Sequence, residues 1–318
     1  MRVLFLQRQP CIRALKYAVA LRKARRDVTL AFAYQGRTLS QYYGSGDELF
    51  DRWSNLGSDA LPAAALRRAV AEFRPDIIHS HNLPDSLTVL ALDALDGRIP
   101  IVHDVHDLQS LRHTPYQDGF PEPTDPLALE KRAIEGSAAL VTISQELIDE
   151  IAARHELPAT TLAFANYALA RDLPLLSQKP YVDEGRLRLV YEGSLGTDGG
   201  HYDLREIFRE IGAQGVELDV YPARPAPEYD TLAAITPGMR YHDPLEPSLL
   251  LQRLPRYDLG WAGFNTGLNR AHLDTCLPHL GDRVGVPLVR HDDPRLDRDD
   301  VVAVVPLLPR LLVLVAAG

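Results

Sequence analysis

Two short apolar runs that end in histidines constrain the fold of this chain more than any other feature. The first, DIIHSHN, places His79, His81 and Asn82 directly after two isoleucines. The second, IPIVHDVHDL, is followed by a denser polar set: His103, Asp104, His106 and Asp107. Such runs are typical of buried strands in a parallel sheet, whose carboxyl ends form the ligand crevice of an open α/β fold. Because an imidazole and a carboxylate can exchange a proton near neutral pH, the sequence predicts a catalytic edge on two neighbouring strands, with both sets in one cleft.

The first half of the chain alternates strand-like and helix-like segments. Apolar runs predict further strands over residues 3–6, 28–33, 139–144 and 162–166. Helical spacing predicts helices over residues 12–23, 63–73, 87–95, 127–135 and 145–154, the last of them capped by Ser144. Residues 34–59 and 113–125 are rich in Gly, Ser, Pro and polar side chains, so we expect loops there, and the second loop could cover the cleft. This order predicts β-α-β units with right-handed crossovers.

The second half of the chain restarts the pattern. Strands are predicted over residues 187–191, 216–221 and 258–261, and a helix over 204–211. A glycine-rich turn with Gly193, Gly196, Gly199 and Gly200 precedes that helix. Such a turn lets backbone N–H groups and a helix terminus approach a phosphate, although any tight strand-to-helix turn uses glycine. We therefore expect two domains, residues 1–172 and 186–318, joined by a linker over 173–185.

Composition and charge narrow the class of protein. The chain has 318 residues, 46% of them hydrophobic and 24% charged, which is typical of a soluble protein with two domains. A net charge of -9 argues against a nucleic-acid binder. Basic side chains cluster on the first helix, where a solvated face is the favoured interpretation: Arg8, Arg13, Lys16, Arg22, Lys23, Arg25 and Arg26. The two cysteines, Cys11 and Cys276, indicate a reducing compartment, so we expect a cytoplasmic location, with peripheral membrane contact left open.

Taken in order, seven segments of the chain resemble glycosyltransferases of family 4. They are DIIHSHN, IVHDVHDL, EKRAIEGSAALVTIS, the strand ending in Asn166, LVYEGSLG, YDLGWAGF and HLDTCLP. The resemblance implies a GT-B fold: two facing Rossmann-like domains, an N-terminal one for the acceptor and a C-terminal one for a nucleotide sugar. It also implies retention of anomeric configuration and no metal requirement. His106 matches the active-site histidine of that family, which contacts the sugar, and Gly193 matches the first glycine of the donor loop. By contrast, we expect His79 and His103 to hydrogen bond to backbone groups at the strand ends.

The chain departs from the family pattern in three places. Its donor loop, EGSLGTDGGHYDLR, lacks the usual Arg and Lys, so only His201 and Arg205 could neutralise a diphosphate. Its first loop, QRQPCIR, lacks the usual pair of glycines. After HLDTCLP, no glutamate occupies the ribose-binding position. Residues 280–318, in the same region, change from a run of acidic and basic residues to an apolar run that shows neither the alternation of a strand nor the apolar stripe of a surface helix. We therefore expect the C-terminal domain to be incomplete.

These observations predict a glycosyltransferase that uses a nucleotide sugar as co-substrate, without a cofactor, and an unknown acceptor that is a glycan, a lipid-linked molecule or a small molecule. The predicted catalytic residues are His106 and Asp107, and the predicted acceptor-side residues are Arg13 and His81. The predicted donor-binding residues are Gly193, Ser194, Gly196, His201, Arg205 and Asn269; no metal site is predicted. Three alternatives stay open: a non-catalytic remnant that only binds nucleotide, a nucleotide-sugar epimerase, and a metal-dependent hydrolase that uses the His and Asp side chains at the strand ends.

Overall fold

The chain folds into two compact units, Met1–Tyr167 and Ala168–Gly318, in a computed structural model. The structure describes residues 1–25, 27–36, 48–57, 62–82, 85–113, 124–165, 188–261, 263–265, 267–276, 303–308 and 311–315. Asn166, the predicted linker and most of the predicted loop over 113–125 lie outside these residues.

The N-terminal unit is a parallel sheet of seven strands in the order β3-β2-β1-β4-β5-β6-β7. Its strands are β1 Arg2–Gln7, β2 Thr29–Tyr34, β3 Arg52–Asn55, β4 Ile77–His81, β5 Ile101–Val105, β6 Ala139–Thr142 and β7 Thr160–Ala163. Its helices are α1 Ile12–Ala24, α2 Ala63–Phe73, α3 Ser86–Leu95, α4 Pro126–Glu135 and α5 Gln145–Ala152. The strand order reverses direction between β1 and β4, so the topological switch point of this doubly wound sheet lies at the ends of those strands.

Strands β1 and β2 are covered on both faces, which explains why they are nearly continuous apolar runs. Alternation along β1 sends Leu4 and Leu6 into a core shared with α2 and α3. The same alternation sends Val3 and Phe5 into a second core, which α1 closes with Leu15. The ends of β1, β4 and β5 therefore lie between helix layers, where a side chain that points to either face is shielded from water.

Helix α1 buries a different face from the one that its apolar residues predict. Ile12 was expected to be inside but is 41% exposed, whereas Arg13, Ala14, Leu15 and Ala18 are buried. The small alanines let the helix approach the aromatic side of the sheet closely, and the buried arginine has a specific partner described below. Helix periodicity identified the helix correctly, but its inner face is set by these tertiary contacts.

The C-terminal unit is a sheet of six strands in the order β10-β9-β8-β11-β13-β12. Its elements are β8 Arg188–Gly193, α6 Arg205–Ala213, β9 Glu217–Pro222, α7 Pro227–Ile235, β10 Met239–Tyr241, α8 Pro247–Arg253, β11 Leu259–Trp261, α9 Arg270–Cys276, β12 Ala303–Leu308 and β13 Leu311–Val315. Strands β8 to β11 pair in parallel. The unit therefore repeats the open α/β arrangement, and the predicted fold class of two Rossmann-like units is confirmed.

Part of the C-terminal tail is regular structure. Strand β13 pairs antiparallel with β11, and β12 pairs antiparallel with β13. The absence of strand-like structure that we expected across residues 280–318 is therefore wrong for these two segments. Their uniform apolar composition hid the strands, because alternation disappears when a strand has no polar face. The expectation of an incomplete domain stays a prediction.

The helices in the described parts of the chain are short. The longest, α1, has 13 residues, whereas a bilayer crossing needs about 20 apolar residues. None of the described helices is long and apolar enough to span a membrane.

Candidate active site

Strand alternation divides the polar residues at the edge of the N-terminal sheet between its two faces. His81 pairs with Asp104 in the parallel register, and Ser80 pairs with His103. Because paired residues of parallel neighbours share a face and alternate along each strand, His79, His81 and Asp104 lie on the α1 side. Ser80 and His103 lie on the α3 side. The expectation that all these side chains enter one cleft is therefore wrong for His103.

His103 belongs to a buried network of side chains. Its Nε2 lies 3.1 Å from Asp85 Oδ1, its Nδ1 lies 3.0 Å from Thr88 Oγ1, and the Thr88 hydroxyl lies 2.7 Å from that of Ser80. All four residues are at most 2% exposed. The predicted backbone partner of His103 is wrong, since both ring nitrogens face side chains. With its polar atoms satisfied, this network is structural.

On the opposite face, Arg13 and Asp104 form a buried ion pair. Arg13 Nε donates to both carboxylate oxygens, at 2.9 and 3.1 Å, and its Nη2 donates to the Tyr17 hydroxyl at 2.8 Å. Arg13 is 4% exposed and Asp104 is fully buried. This corrects the prediction that Arg13 lies on a solvated helix face. It also places this predicted acceptor-side residue beneath the surface, where it anchors α1 to the end of β5.

Charge around Asp104 is arranged to keep it ionised. Burial raises the pKa of Asp104, but His81, His79 and Arg13 lower it by more, so the pKa lies below its usual range. Burial raises the pKa of Tyr17, and the charge of Asp104 raises it further, so that phenol stays protonated. At neutral pH the site therefore holds one fixed carboxylate and one fixed guanidinium.

The two histidines of β4 lie against each other beneath α1, with ring centroids 4.7 Å apart and ring planes tilted by 44°. His79 Nδ1 lies 3.1 Å from His81 Nε2, so the partner of His79 is a side chain and not the predicted backbone group. Both rings also pack against Phe5 and Tyr17. Burial lowers the pKa of His79 to about 4 and that of His81 well below its ordinary value. Both imidazoles are neutral at pH 7, and His81 is a fully buried residue rather than an exposed acceptor contact.

His106, the predicted catalytic histidine, follows β5 on the same side. The side chain of Asn82 fixes the backbone around it, because Asn82 Oδ1 accepts from the His106 N–H at 3.1 Å while Nδ2 donates to the carbonyl of Asp107. The ring is half-buried, and its Nε2 has no hydrogen-bond partner among the described residues. Burial lowers the pKa of His106, although Asp104 opposes the shift. A neutral imidazole in this position can accept or donate one hydrogen bond to a ligand.

Asp107, the second predicted catalytic residue, points toward a different partner. Its carboxylate lies 3.8 Å from Arg112 Nη1 and is partly exposed. This arrangement ties together the two ends of the short turn that contains the 3-10 segment Gln109–Leu111. Its catalytic role stays a prediction.

The glycine-rich turn of the C-terminal unit is held by its own acidic side chains. Gly199 N–H donates to Asp203 Oδ2 and Gly200 N–H donates to Asp198 Oδ1, both at 3.0 Å. Gly193 has a φ of +146° and Gly199 one of +76°, values that favour glycine. Carboxylates thus already occupy loop amides that we expected to face a phosphate.

Arg205 is engaged by the same loop. Its Nε and Nη2 donate to the two oxygens of Asp203 at 2.8 and 2.6 Å, and Nη2 also donates to the Thr197 carbonyl at 3.0 Å. Tyr229 on α7 connects the two ends of the loop, because its hydroxyl donates to the Gly196 carbonyl and accepts from the Leu204 N–H, both at 2.8 Å. The predicted cation is present at the start of α6, but its charge is balanced by Asp203.

Two other predicted donor residues meet in the C-terminal unit. Asn269 Nδ2 lies 3.0 Å from His201 Nδ1, and both residues are at most 5% exposed. Since an amide nitrogen donates, this contact makes His201 Nδ1 the acceptor and leaves its proton on Nε2. Ser194, by contrast, contributes its carbonyl, which accepts from the Tyr191 hydroxyl at 2.5 Å. The structure brings His201 and Asn269 together, although they are far apart in sequence.

Comparison with known proteins identifies the N-terminal unit. Residues 12–167 match the model of a family described as glycosyl transferase 4-like domain. Residues 12–167 form a glycosyl transferase 4-like domain. The matched range contains α1, β4, β5 and the side chains of Arg13, His81 and His106, so the resemblance drawn from the sequence motifs is confirmed there. The sequence as a whole matches no curated protein.

Solved structures are similar to the chain in fold. The sucrose-phosphate synthase of Thermosynechococcus elongatus has a TM-score of 0.59 at 9% identity, over 82% of this chain and 74% of that one. A UDP-N-acetylglucosamine 2-epimerase described as putative, from Listeria monocytogenes, has a TM-score of 0.55 at 17% identity, over 82% and 73%. HepE of Anabaena, in a complex with UDP and glucose, has a TM-score of 0.52 at 13% identity, over 87% and 78%. The predicted GT-B fold class is confirmed, while the reactions in these names differ, so the fold alone does not choose the reaction.

The sequence analysis overlooked two residues that support the edge of the glycosyl transferase 4-like domain. Asn82 was noted only as a polar residue after β4, yet it holds the backbone on both sides of His106. Glu130 on α4 is 1% exposed and accepts from Ser110 N–H and Ser110 Oγ, both at 2.7 Å. Burial raises the pKa of Glu130 to about 7, although the Ser110 hydrogen bonds oppose this shift. A charged residue in a helical pattern signals a solvated position, so the sequence held no sign of this contact.

Proposed function

We propose that the chain is a glycosyltransferase that moves a sugar from a nucleotide sugar to an acceptor with retention of anomeric configuration. The observation that carries the proposal is the match of residues 12–167 to the glycosyl transferase 4-like domain, because that range contains His106 and the groups that position it. The fold is compatible with this reaction, since a similar structure, that of HepE, binds UDP and glucose. The fold does not determine the donor or the acceptor, so both belong to the proposal.

In this proposal His106 contacts the sugar close to the reacting carbon. Three features support that role: Asn82 fixes its backbone, burial keeps the ring neutral, and one ring nitrogen has no partner among the described residues. A rigid, neutral hydrogen-bonding group positions a sugar hydroxyl without adding a charge that would repel a developing positive sugar. The buried pair of Arg13 and Asp104 supports the strand end from below.

The C-terminal unit binds the nucleotide sugar in this proposal, through the turn that follows β8. Helix α6 begins after Leu204, whose side chain cannot cap the first turn, and a helix start without a side-chain cap attracts an anion. Arg205 adds a bidentate contact once a diphosphate replaces Asp203 as its partner. In this proposal, the Asp203 carboxylate competes with the diphosphate of the donor for Arg205.

The first experiment establishes the donor and then tests His106. A thermal-shift screen against several nucleotide sugars identifies a donor, because a ligand that binds only the native state raises the melting temperature. With that donor, His106→Ala is compared with His79→Ala, at a half-buried histidine on the same face. We expect His106→Ala to lower kcat by about a hundredfold or more with donor affinity nearly unchanged, because a contact made mainly in the transition state affects the rate. Equal, small losses in both variants would contradict the assignment.

The same assay separates the alternative functions. Donor binding with neither donor consumption nor a glycosylated product would indicate a non-catalytic remnant. Donor consumption without a glycosylated product would indicate an epimerase. Only a glycosylated product that requires both donor and acceptor supports the proposal, and nuclear magnetic resonance of that product reports whether the anomeric configuration is retained.

A second experiment tests the donor loop through a matched pair of variants. If Asp203 competes with the diphosphate for Arg205, then Asp203→Asn strengthens donor binding while Arg205→Ala weakens it. If Arg205 serves only to shape the loop, both variants weaken binding, because each removes a loop contact. Calorimetric titration with the identified donor measures both dissociation constants, and circular dichroism confirms that each variant is folded.

A further inference from the structure

Three side chains from three segments bring potential metal-binding atoms together under the edge of the N-terminal sheet. Cys11 precedes α1, His81 ends β4 and His106 follows β5, and one ligand atom from each lies within 4.8 Å of the other two. Two nitrogens of this set, His81 Nδ1 and His106 Nε2, are buried without a hydrogen-bond partner among the described residues. An unpaired buried polar atom costs about 1–3 kcal/mol, so two of them in one cluster call for a ligand that they can bind.

The surrounding hydrogen bonds prepare His81 for this role. Its Nε2 lies 3.1 Å from His79 Nδ1. When Nε2–H donates to His79, the Nδ1 of His81 is left with an available lone pair. Metal-binding histidines usually donate their other N–H to a neighbouring acceptor in this way, which fixes the tautomer and the ring orientation. His81 is 0% exposed, so the ring has little freedom to turn away.

A second group of side chains is close enough to bind a cation but is less suitable. His79, His81 and Asp104 also place one ligand atom each within 4.8 Å of one another. Both carboxylate oxygens of Asp104 already accept from Arg13 Nε, at 2.9 and 3.1 Å. A cation there would have to displace a guanidinium from a buried pair, which is costly. In the set with Cys11, no salt bridge among the described residues would have to be broken.

We propose that Cys11, His81 and His106 bind a thiophilic divalent cation, with Zn²⁺ as the best match, and leave a fourth coordination position open. Sulfur and imidazole donors suit Zn²⁺, and its bonds of about 2.0–2.3 Å place tetrahedral ligand atoms about 3.3–3.6 Å apart. The three atoms lie within 4.8 Å of one another, so each pair needs to approach by at most about 1.5 Å to reach this spacing. The sequence analysis predicted no metal site, because the family resemblance implies no metal requirement. Cys11 lies before α1, far in sequence from the two histidines.

Binding of this cation has a consequence for sugar transfer. His106 would be a ligand of the cation and, in the proposed reaction, a contact of the sugar, so the two compete for one ring. This consequence rests on the proposed function, whereas the metal site itself does not. The test therefore measures metal binding, and its failure leaves the glycosyltransferase proposal unaffected.

The experiment titrates the reduced, metal-free full chain with Co²⁺, a spectroscopic substitute for Zn²⁺. We expect one Co²⁺ per chain, a thiolate-to-cobalt charge-transfer band in the near ultraviolet, and the intense visible bands of a tetrahedral site. Added Zn²⁺ displaces the cobalt and abolishes these bands. If the protein has no charge-transfer band, or binds Co²⁺ only with octahedral spectra, the proposal is wrong.

Variants assign the ligands. Cys11→Ser, a nearly isosteric change, is expected to abolish the charge-transfer band, while Cys276→Ser, at the other cysteine, leaves it unchanged. His106→Gln is expected to weaken Co²⁺ binding by at least about tenfold, while His113→Gln, at an exposed histidine, has no effect. A band that survives Cys11→Ser, or that Asp104→Asn abolishes and Cys11→Ser does not, would overturn the assignment. The wild-type and Cys11→Ser spectra decide the matter even if His106→Gln does not fold.

Discussion

Replacing Arg13 with methionine tests whether the buried ion pair holds α1 on the sheet. Arg13→Met keeps an apolar stem of similar length but removes the cation beside Asp104, which is 0% exposed. Breaking a buried pair on one side costs about 3–5 kcal/mol, because the remaining charge is uncompensated. The destabilisation cannot exceed the free energy of protonating Asp104, because the folded variant can bury the neutral carboxyl instead of the charged one. At pH 7 it takes about 4 kcal/mol to protonate a carboxyl whose unfolded pKa is near 3.9.

The protonation of Asp104 also determines how the destabilisation caused by Arg13→Met changes with pH. In the wild type the pKa of Asp104 is lowered, so its contribution to stability is present above the unfolded pKa and is lost only as the pH falls through the folded pKa. At neutral pH His79 and His81 are uncharged, so Arg13→Met removes the counter-charge of Asp104. Burial is then expected to raise the folded pKa of Asp104, so that stability is lost as the pH rises. The destabilisation is therefore expected to grow from about 1.5 kcal/mol at pH 5 to about 4 kcal/mol at pH 7, because each pH unit is worth about 1.4 kcal/mol.

Two controls separate this effect from a general loss of helix contacts. Arg22 on the same helix pairs with Asp51 at 2.9 Å, with side chains 31% and 44% exposed, so Arg22→Met is expected to cost no more than about 1 kcal/mol. The double variant Arg13→Met with Asp104→Asn removes the orphaned charge and should be more stable at pH 7 than Arg13→Met alone.

The assay uses the two tryptophans, one in each unit. In a Trp261→Phe background, the remaining Trp53 on β3 reports the unfolding of the N-terminal unit alone. Urea titrations at pH 5 and pH 7 give the free energy of unfolding of each variant from the midpoint and the slope. The reasoning is refuted if Arg13→Met costs as little as Arg22→Met, or if its cost is independent of pH.

Three further changes have definite expected outcomes. Glu130→Gln removes a group whose folded pKa is raised to about 7, so the variant keeps the stability that the wild type loses as the pH rises from 4.5. Urea titrations should show the variant gaining up to about 3 kcal/mol relative to the wild type between pH 5 and 8. A difference that does not change with pH would exclude this. Gly238→Ala places a Cβ 2.9 Å from the Val216 carbonyl oxygen at a φ of +76°. It should lower the free energy of unfolding by at least about 1 kcal/mol more than Gly215→Ala, whose Cβ has no heavy atom within 4 Å at a similar φ. Trp261 fluorescence in a Trp53→Phe background measures both variants. Ser144→Ala removes the cap of α5, which accepts from Leu147 N–H at 3.2 Å, and should lower the melting temperature by an amount equivalent to about 1 kcal/mol; an unchanged melting temperature would show that the cap is dispensable.

The N-terminal fold could be predicted because its elements have strong local patterns. Helix α2, residues Ala63–Phe73, has the predicted bounds, and Ser144 caps α5 as expected. Strand β3, Arg52–Asn55, was missed because its sequence RWSN has no apolar run. This strand exists through its pairing with β2, which is a tertiary contact that a local pattern does not contain.

The C-terminal unit was harder to predict because its elements are short. Helices α7 and α8 have nine and seven residues, and both begin with proline. Proline suits the first turn of a helix, but its usual meaning along a sequence is a turn. Strand β10 has three residues, too few to show a period. Tyr229, which fastens the glycine-rich turn, lies on one of these unpredicted helices, so the way that loop is held could not be anticipated either.

The candidate site shows why residue type and spacing are not enough to assign roles. Four histidines lie within or directly after two neighbouring strands, and period-2 alternation divides them between faces. On the α3 side, His103 has a partner for each ring nitrogen. On the α1 side, His81 Nδ1, His106 Nε2 and Gln7 Oε1 are buried without partners among the described residues. Since buried polar atoms are normally satisfied within the protein, the satisfied network is accounted for by stability, and the unsatisfied one is where a ligand is expected. This difference, and not the number of histidines, directs both the sugar-transfer and the metal-binding experiments to the α1 face.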